Sequence, residues 1–363
     1  MQFTVQQIAD AIGAEADGKT DLTIVRAAEP SDAGPTDLAM AMSPKYAESL
    51  SKGSARVAVL WQGADWKGMG LDAAIFVHRP RFAMSGITAM LDRGQGVEPG
   101  IHPSAVIEPT AEIGADVSIG PLVVVGARVR IGDRSTIGPH CVIGIDATLG
   151  KDSFLREAVS IGPRAIIGDR FIAQPGARIG SDGFSFVTPE VSGVENVRKT
   201  LGDQGDAKAQ QWLRIHSLGA VEIGDDVEIG ANCTIDNGTI RNTYIGDGSK
   251  LDNQVHIGHN ARTGKNCLIC GQSGLSGSAI LGDNVVMGGQ SGASDNITIG
   301  DGVIAAGGTK MISNVPAGRV VMGYPSVKME THTEIYKAQR RLPRLARDVE
   351  ALKKAVFKQS TKD

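Results

Sequence analysis

Ile113-Gly-Ala-Asp-Val-Ser-Ile119-Gly-Pro-Leu-Val-Val-Val125-Gly-Ala-Arg-Val-Arg-Ile131-Gly-Asp-Arg-Ser-Thr-Ile137-Gly-Pro-His-Cys-Val-Ile143 repeats one pattern every six residues. Working outward, the aliphatic position extends back to Ile107 and Ile101 and forward to Leu149, Leu155, Ile161, Ile167, Ala173 and Ile179. It resumes at Ile223, Ile229 and Ile235, and a four-residue insertion then shifts it to Ile245, Leu251 and Ile257. From there it continues to Met311. Two residues before each member stands a second small or apolar residue, such as Val117, Val123, Val129, Ser135 and Cys141. Side chains on one face of a strand are two residues apart, so each hexad is a short strand with two inward side chains. Three hexads close one triangular coil, and residues 18 apart stack, which predicts a parallel β-helix. The Gly-x pair after each strand is expected to take the corner, where glycine tolerates unusual backbone angles.

This phase assigns directions to side chains. Cys141, Cys233 and Cys267 fall in the inward slot two before the aliphatic residue, while Cys270 follows Ile269 at a corner. Cys267 and Cys270 should therefore diverge despite their metal-like spacing, and all four cysteines read as packing residues rather than a metal or disulfide site. His256 and His259, flanking Ile257, should both point outward.

The pattern lapses between Ile179 and Ile223. A loop of that length is functional or disordered. Its polar middle, Gly202-Asp-Gln-Gly-Asp206, reads as a solvated tip, and its aromatic ends at Phe184, Phe186 and Trp212 are expected to pack near a groove. Before the repeat, Val5–Ile12 and Arg81–Leu91 have helical periodicity, and Ala55–Leu60 and Ala73–Val77 read as buried strands. After it, Leu345, Val349, Leu352 and Val356 form an apolar helical seam, with Arg340, Arg344 and Arg347 along one side and Pro343 either starting this helix or kinking a longer one. The expected organisation is a small α/β domain at 1–98, the β-helix at 99–325 and a helical extension at 326–363. The arginine row reads either as a solvated face of a trimer-forming helix or as a docking site for an acidic partner.

With 363 residues, 47 glycines and a net charge of -3, the composition supports a repeat fold and gives no basic surface for nucleic acid. No apolar run has the length of a membrane span, and the first residues lack the basic-then-apolar order of a signal peptide. A cytoplasmic protein is expected.

Seven histidines are present in the chain, yet two stand together in Leu251-Asp-Asn-Gln-Val-His-Ile-Gly-His-Asn260. An outward imidazole is the side chain best suited to accept a proton near neutral pH. This segment resembles the catalytic motif of the hexapeptide-repeat acyltransferases of lipid A biosynthesis. The N-terminal domain, Gly180-Ser-Asp-Gly-Phe184, Thr234-Ile-Asp-Asn-Gly238 and the exit Val315-Pro-Ala-Gly-Arg-Val-Val-Met-Gly-Tyr-Pro325 are similar to the branch of that family that acylates an amine. The resemblance spans essentially the whole chain and implies a left-handed β-helix packed as a homotrimer. It implies transfer of a 3-hydroxyacyl chain from acyl carrier protein, where 4'-phosphopantetheine carries it, to the 2-amine of a UDP-3-O-(3-hydroxyacyl)-glucosamine, with no bound cofactor or metal. It makes His259 the general base, and Gly277, one coil on, the oxyanion donor. Asp252 would hold the amine or orient the base; the competing reading is a polar corner residue. His256 and Asn260 become substrate contacts, as do Tyr46 and Lys45 of Ser43-Pro-Lys-Tyr46 at the uridine end, and Arg340, Arg344 and Arg347 the carrier-protein docking row.

Two departures weaken the carry-over. Ser43 and Met40 stand where the family's uracil motif has Asn and Phe, and Asn296 stands where relatives often have a histidine 37 residues after the base. Three rivals differ in cheap observables. The O-acyltransferase of the same pathway begins directly with the repeat. A zinc enzyme of the γ-carbonic anhydrase kind needs a third histidine, and His140 and His216 are badly placed. A non-catalytic sugar-nucleotide-binding scaffold, or an acyltransferase for another sugar nucleotide, would keep the fold without this chemistry.

Overall fold

A computed structural model describes residues 2–200, 202–323 and 326–359. The chain folds as two compact units, residues 1–96 and 97–363.

In the first unit, a five-stranded sheet runs in the order Glu15–Gly18, Ala73–Val77, Val57–Trp61, Asp37–Met40, Arg26–Ala28. All pairs are parallel except the first. Alternation along Val57–Trp61 explains its two layers. Val57 and Val59 pack with Val5, Ile8, Ala83 and Ile87 of two helices, while Ala58 and Leu60 join Trp66 and Leu71 beneath. The helix Val5–Ile12 opens on Thr4, whose hydroxyl accepts from Gln7 N–H while the Gln7 side chain accepts from Thr4 N–H. The strands at 15–18, 23–24, 26–28 and 37–40 are additions to the sequence reading; each is short, and tertiary pairing rather than local pattern makes it a strand.

The second unit is the β-solenoid. Two ten-stranded parallel sheets form two faces, and a six-stranded sheet with a further two-stranded one forms the third; strands pair mostly with the residue 18 on, 22 on across the insertion and 56 on across the interrupting segment. At about 4.8 Å per strand spacing, ten strands extend for roughly 43 Å. The predicted inward series is the core: Ile119, Ile137, Leu155, Ile229, Ile257 and Ile269 are buried. One face carries, as outward neighbours, Val106, Val124, Val142, Ser160, Arg178, Thr234, His256, Gly274, Gly292 and Lys310.

The corner chemistry differs from the expectation. Left-handed backbone falls three residues before the inward aliphatic residue and is mostly held by other residues, among them Asp116, Arg128, Asp146 and Asn260. The glycine after each strand serves another purpose. A Cβ on Gly132 would lie 2.4 Å from Lys151 N, and one on Gly150 2.4 Å from the Gly168 backbone. Glycine is therefore demanded by the close stacking of coils, not by φ. Some left-handed corners are clamped coil to coil: Arg128 reaches Asp146 and Arg134 reaches Asp152 through paired N–H···O bonds.

The interrupting segment is more ordered than a loop. It contains a two-stranded antiparallel ribbon, Phe186–Val187 with Leu213–Arg214, and a helix at Gly193–Thr200. Of its aromatics, Phe184 is 85% and Trp212 54% exposed, while Phe186 is half-buried, edge-on to the Phe184 ring at 5.0 Å and under the Arg214 guanidinium. The tail is a single helix, Met329–Gln359, with Pro343 inside it, so that proline does not start the helix. Leu345, Val349, Leu352 and Val356 form an exposed stripe. Tyr324 and Pro325 of the exit segment lie outside the described residues. Among the described residues no helix is long and apolar enough to cross a membrane.

Candidate active site

The β-strand His256–Ile257 turns Ile257 inward, which leaves His256 exposed and His259 half-buried at the following corner. Both histidines are held by specific partners. His259 Nδ1 is 3.0 Å from Asn260 Oδ1. The orientation of that amide is set independently: Asn260 Nδ2 donates to Arg241 O, and Oδ1 accepts from Thr239 N–H and Oγ1–H. An oxygen must therefore face the imidazole, and an oxygen requires a donor. Nδ1 carries the proton, and Nε2 is left with its lone pair exposed for proton transfer.

Glycine bounds the ring on two sides. A Cβ on Gly277 would lie 2.7 Å from His259 Nε2 and Cε1. A Cβ on Gly183, from the interrupting segment, would lie 2.6 Å from His259 Cβ and 3.1 Å from Cγ. Neither glycine has a positive φ, so each is required by the imidazole and not by its own backbone. Gly183 is tied down by its N–H donating to Ser217 Oγ at 3.0 Å. Gly277 is oriented by Asn296, whose N–H donates to Gly277 O at 3.2 Å. Among the described residues nothing accepts from the Gly277 N–H, which is thus free to meet negative charge beside Nε2.

His256 is built differently. Its Nδ1 lies 2.8 Å from Thr234 Oγ1, one coil earlier, and its Nε2 3.8 Å from Asp236 Oδ2. Asp236 is buried, and burial raises its carboxyl above the ordinary value, partly offset by His256 and His259. The sequence reading missed both Asp236 and Gly183. Asp236 was findable: counting 22 residues back from Gly258, through the insertion, places an acid at a corner slot that neighbouring coils fill with glycine. Gly183 was not, since no spacing places a loop.

Asp252 lies elsewhere on the coil. Its oxygens accept from Asn253 N–H at 2.7 Å and from Gly271 N–H at 2.8 Å, tying one corner to the next coil. In the first unit, Lys45 and Tyr46 lie on the short helix Pro44–Ala47, both exposed. Arg340, Arg344 and Arg347 are exposed on the terminal helix, where Arg344 lies 3.8 Å from Asp348. The cysteines fall as the phase required: Cys141, Cys233 and Cys267 are buried and Cys270 is half-buried. Among the described residues no group of three or more His, Cys, Asp or Glu side chains is arranged to hold a metal ion.

Residues 110–145 match the bacterial transferase hexapeptide family (six repeats). The UDP-3-O-acylglucosamine N-acyltransferase of Ruegeria pomeroyi is 76% identical over 358 residues, covering 99% of each chain. The enzyme of the same name from Paracoccus denitrificans is 62% identical over 358 residues, 99% of this chain and 98% of that one. The chain belongs to the UDP-3-O-acylglucosamine N-acyltransferase family. Among solved structures, the UDP-N-acetylglucosamine acyltransferase of Francisella novicida aligns at 23% identity and a TM-score of 0.45, over 62% of this chain and 67% of that one. Set in a UDP-3-O-acylglucosamine N-acyltransferase, the site has the parts an acyl transfer to an amine requires: an unprotonated imidazole nitrogen and a free backbone donor beside it.

Proposed function

We propose that this chain transfers a 3-hydroxyacyl group from acyl carrier protein to the 2-amine of UDP-3-O-(3-hydroxyacyl)-glucosamine, a step of lipid A biosynthesis. The observation that carries the reading is the His259 tautomer, fixed by Asn260 with Nε2 free beside an unengaged Gly277 N–H. The amine nitrogen attacks the thioester carbonyl while His259 Nε2 takes its proton. The oxygen, now negative, accepts from Gly277 N–H, worth about a hundredfold to a thousandfold in rate for one such donor. Collapse breaks the carbon–sulfur bond, and the imidazolium returns the proton to the departing thiolate of the 4'-phosphopantetheine arm.

The remaining roles follow by position and chemistry. His256, exposed and tied to Thr234 and Asp236, contacts the acceptor. Asp252 stands at a different corner from His259 within the chain, so in the proposed trimer it would use the lone pairs left after its two backbone bonds to hold the amine at a neighbouring subunit's His259; Asp252→Asn then raises KM for the acceptor, whereas a corner-only role lowers only the melting temperature. In the first unit, read as a uridine-binding domain, the Tyr46 ring stacks on uracil and Lys45 meets phosphate. The extension at 326–363 supplies Arg340, Arg344 and Arg347 to an acidic carrier protein. Exposed apolar columns on the solenoid, such as Val106, Val124 and Val142, favour a homotrimer that covers them. No bound cofactor or metal enters this chemistry, and the site of action is the cytoplasm, where acyl carrier protein is made.

The test is direct: purified protein is supplied with 3-hydroxyacyl carrier proteins of several chain lengths and the UDP-3-O-acyl-glucosamine acceptor. Amide formation is expected with at least one donor and is lost in His259→Ala. No transfer with any donor rejects the reading.

A further inference from the structure

Along one corner of the solenoid, the residue two after the inward aliphatic residue (the +2 residue) makes a carboxylate ladder. Where such a residue is Asp, its carboxylate accepts the N–H of the +2 residue one coil earlier. Asp133 accepts from Ala115, Asp169 from Lys151, Asp225 from Asp169, Asp247 from Asp225, Asp283 from Lys265, and Asp301 from Asp283, at 2.7–3.1 Å. Asn253 does the same for Ala231 at another corner. Asp295 occupies the +2 slot one coil after Gly277, in regular register, since Leu275 pairs with Ala293. Repeated at this corner, the same arrangement would have Asp295 close the Gly277 N–H. It does not. Its Oδ2 lies 3.4 Å from Arg198 Nη1, on the helix Gly193–Thr200 of the interrupting segment, and 3.4 Å from Asn296 Nδ2.

We propose that Arg198 is a positioning residue: by drawing Asp295 away from the ladder, it keeps the Gly277 N–H open for the oxyanion. When the pair is broken, the Asp295 carboxylate swings onto that N–H. It then occupies the donor and sets a negative charge where another must develop, two effects of the same sign. The pair is exposed on both sides, so it is held weakly and responds to ionic strength. The same segment delivers Gly183 against His259, so its seating is coupled to both the base and the oxyanion donor. This inference rests on Gly277 N–H acting in the reaction.

The test uses the full-length enzyme with saturating donor and acceptor. Arg198→Ala is expected to lower kcat by about tenfold or more, toward the roughly hundredfold to thousandfold cost of losing one oxyanion donor, with KM for the acceptor nearly unchanged. Asp295→Ala should keep kcat near the parent value, since it removes the competitor as well as the pair. The double variant Arg198→Ala/Asp295→Ala should recover most of the lost rate, and raising ionic strength should lower the parent's kcat but not that of Asp295→Ala. A kcat loss in Asp295→Ala equal to that in Arg198→Ala overturns the inference, because the pair then only anchors the segment. Failure of the double variant to recover overturns it too. His259→Ala in the same assay separates the two levels: undiminished turnover there rejects the active-site reading itself, whatever Arg198 does.

Discussion

Gly277→Ala isolates the geometry on which the active site depends. The added methyl would lie 2.7 Å from His259 Nε2 and Cε1 and 3.2 Å from Nδ1. Carbon contacts are comfortable at about 3.5–4.0 Å, so the ring must withdraw by roughly 1 Å. Gly183 blocks that withdrawal on another side, and the Nδ1 bond to Asn260 resists rotation. A displacement of about 1 Å at a reacting group costs about a hundredfold in rate. That corresponds to about 2.7 kcal/mol on the barrier. Folding should be spared, because Gly277 does not use a left-handed backbone and its neighbour is a side chain rather than a buried main chain. The expected result is an about hundredfold lower kcat with a thermal midpoint within a few degrees of the parent. Steady-state acyl transfer alongside calorimetry reads both. A kcat within about threefold of the parent would refute the contact argument, since threefold is far below the predicted cost.

Gly183→Ala should lower kcat as well, but by only about tenfold, because its methyl would meet His259 Cβ and Cγ rather than the reacting Nε2. Asn260→Ala removes the lock on the His259 tautomer and strands Thr239 N–H and Oγ1–H and the Arg241 carbonyl. A lower kcat and a loss of about 1 kcal/mol per half-buried group left unpaired are expected in denaturant titration. For Asp236, burial raises the folded carboxyl above its unfolded value, so the native state binds more protons through the window between the two. Stability must then fall as pH rises through that window, and Asp236→Asn should flatten the slope; an unchanged slope counts against burial of an ionisable Asp236. Burial pushes the Cys141 thiol up to about 11 and raises Cys233 and Cys267. A thiol reagent should label Cys270 in the native protein and the other three only on unfolding; early loss of Cys267 would contradict its inward placement.

The repeat made the solenoid legible because a period of six with two inward slots admits one arrangement of core and surface. Ile257 inward forces His256 and His259 outward, and 18-residue stacking sets Gly277 beside His259 before any coordinate is seen. Glycine does recur at the corner, but close coil stacking and not a left-handed backbone is what requires it. Periodicity shows that glycine recurs, but coil-to-coil clearance of 2.4 Å between a would-be Cβ and the next backbone is a tertiary quantity. Asp236 was within reach of the register count, since the insertion length was known. The helix Gly193–Thr200 and the seating of Gly183 were not, because a polar segment without periodicity carries no record of where it folds back.

The sequence by itself determined the coil and the direction of each repeated side chain, His256 and His259 among them, because hydrophobic phase is a local property that stacking merely repeats. Only the tertiary structure decided which tautomer His259 holds, which acid lies near the histidines, and that Asp295 leaves its ladder for Arg198. Those outcomes depend on contacts between residues brought together from distant parts of the chain or across an insertion, where hydrogen-bond geometry and competition for a single carboxylate set the result.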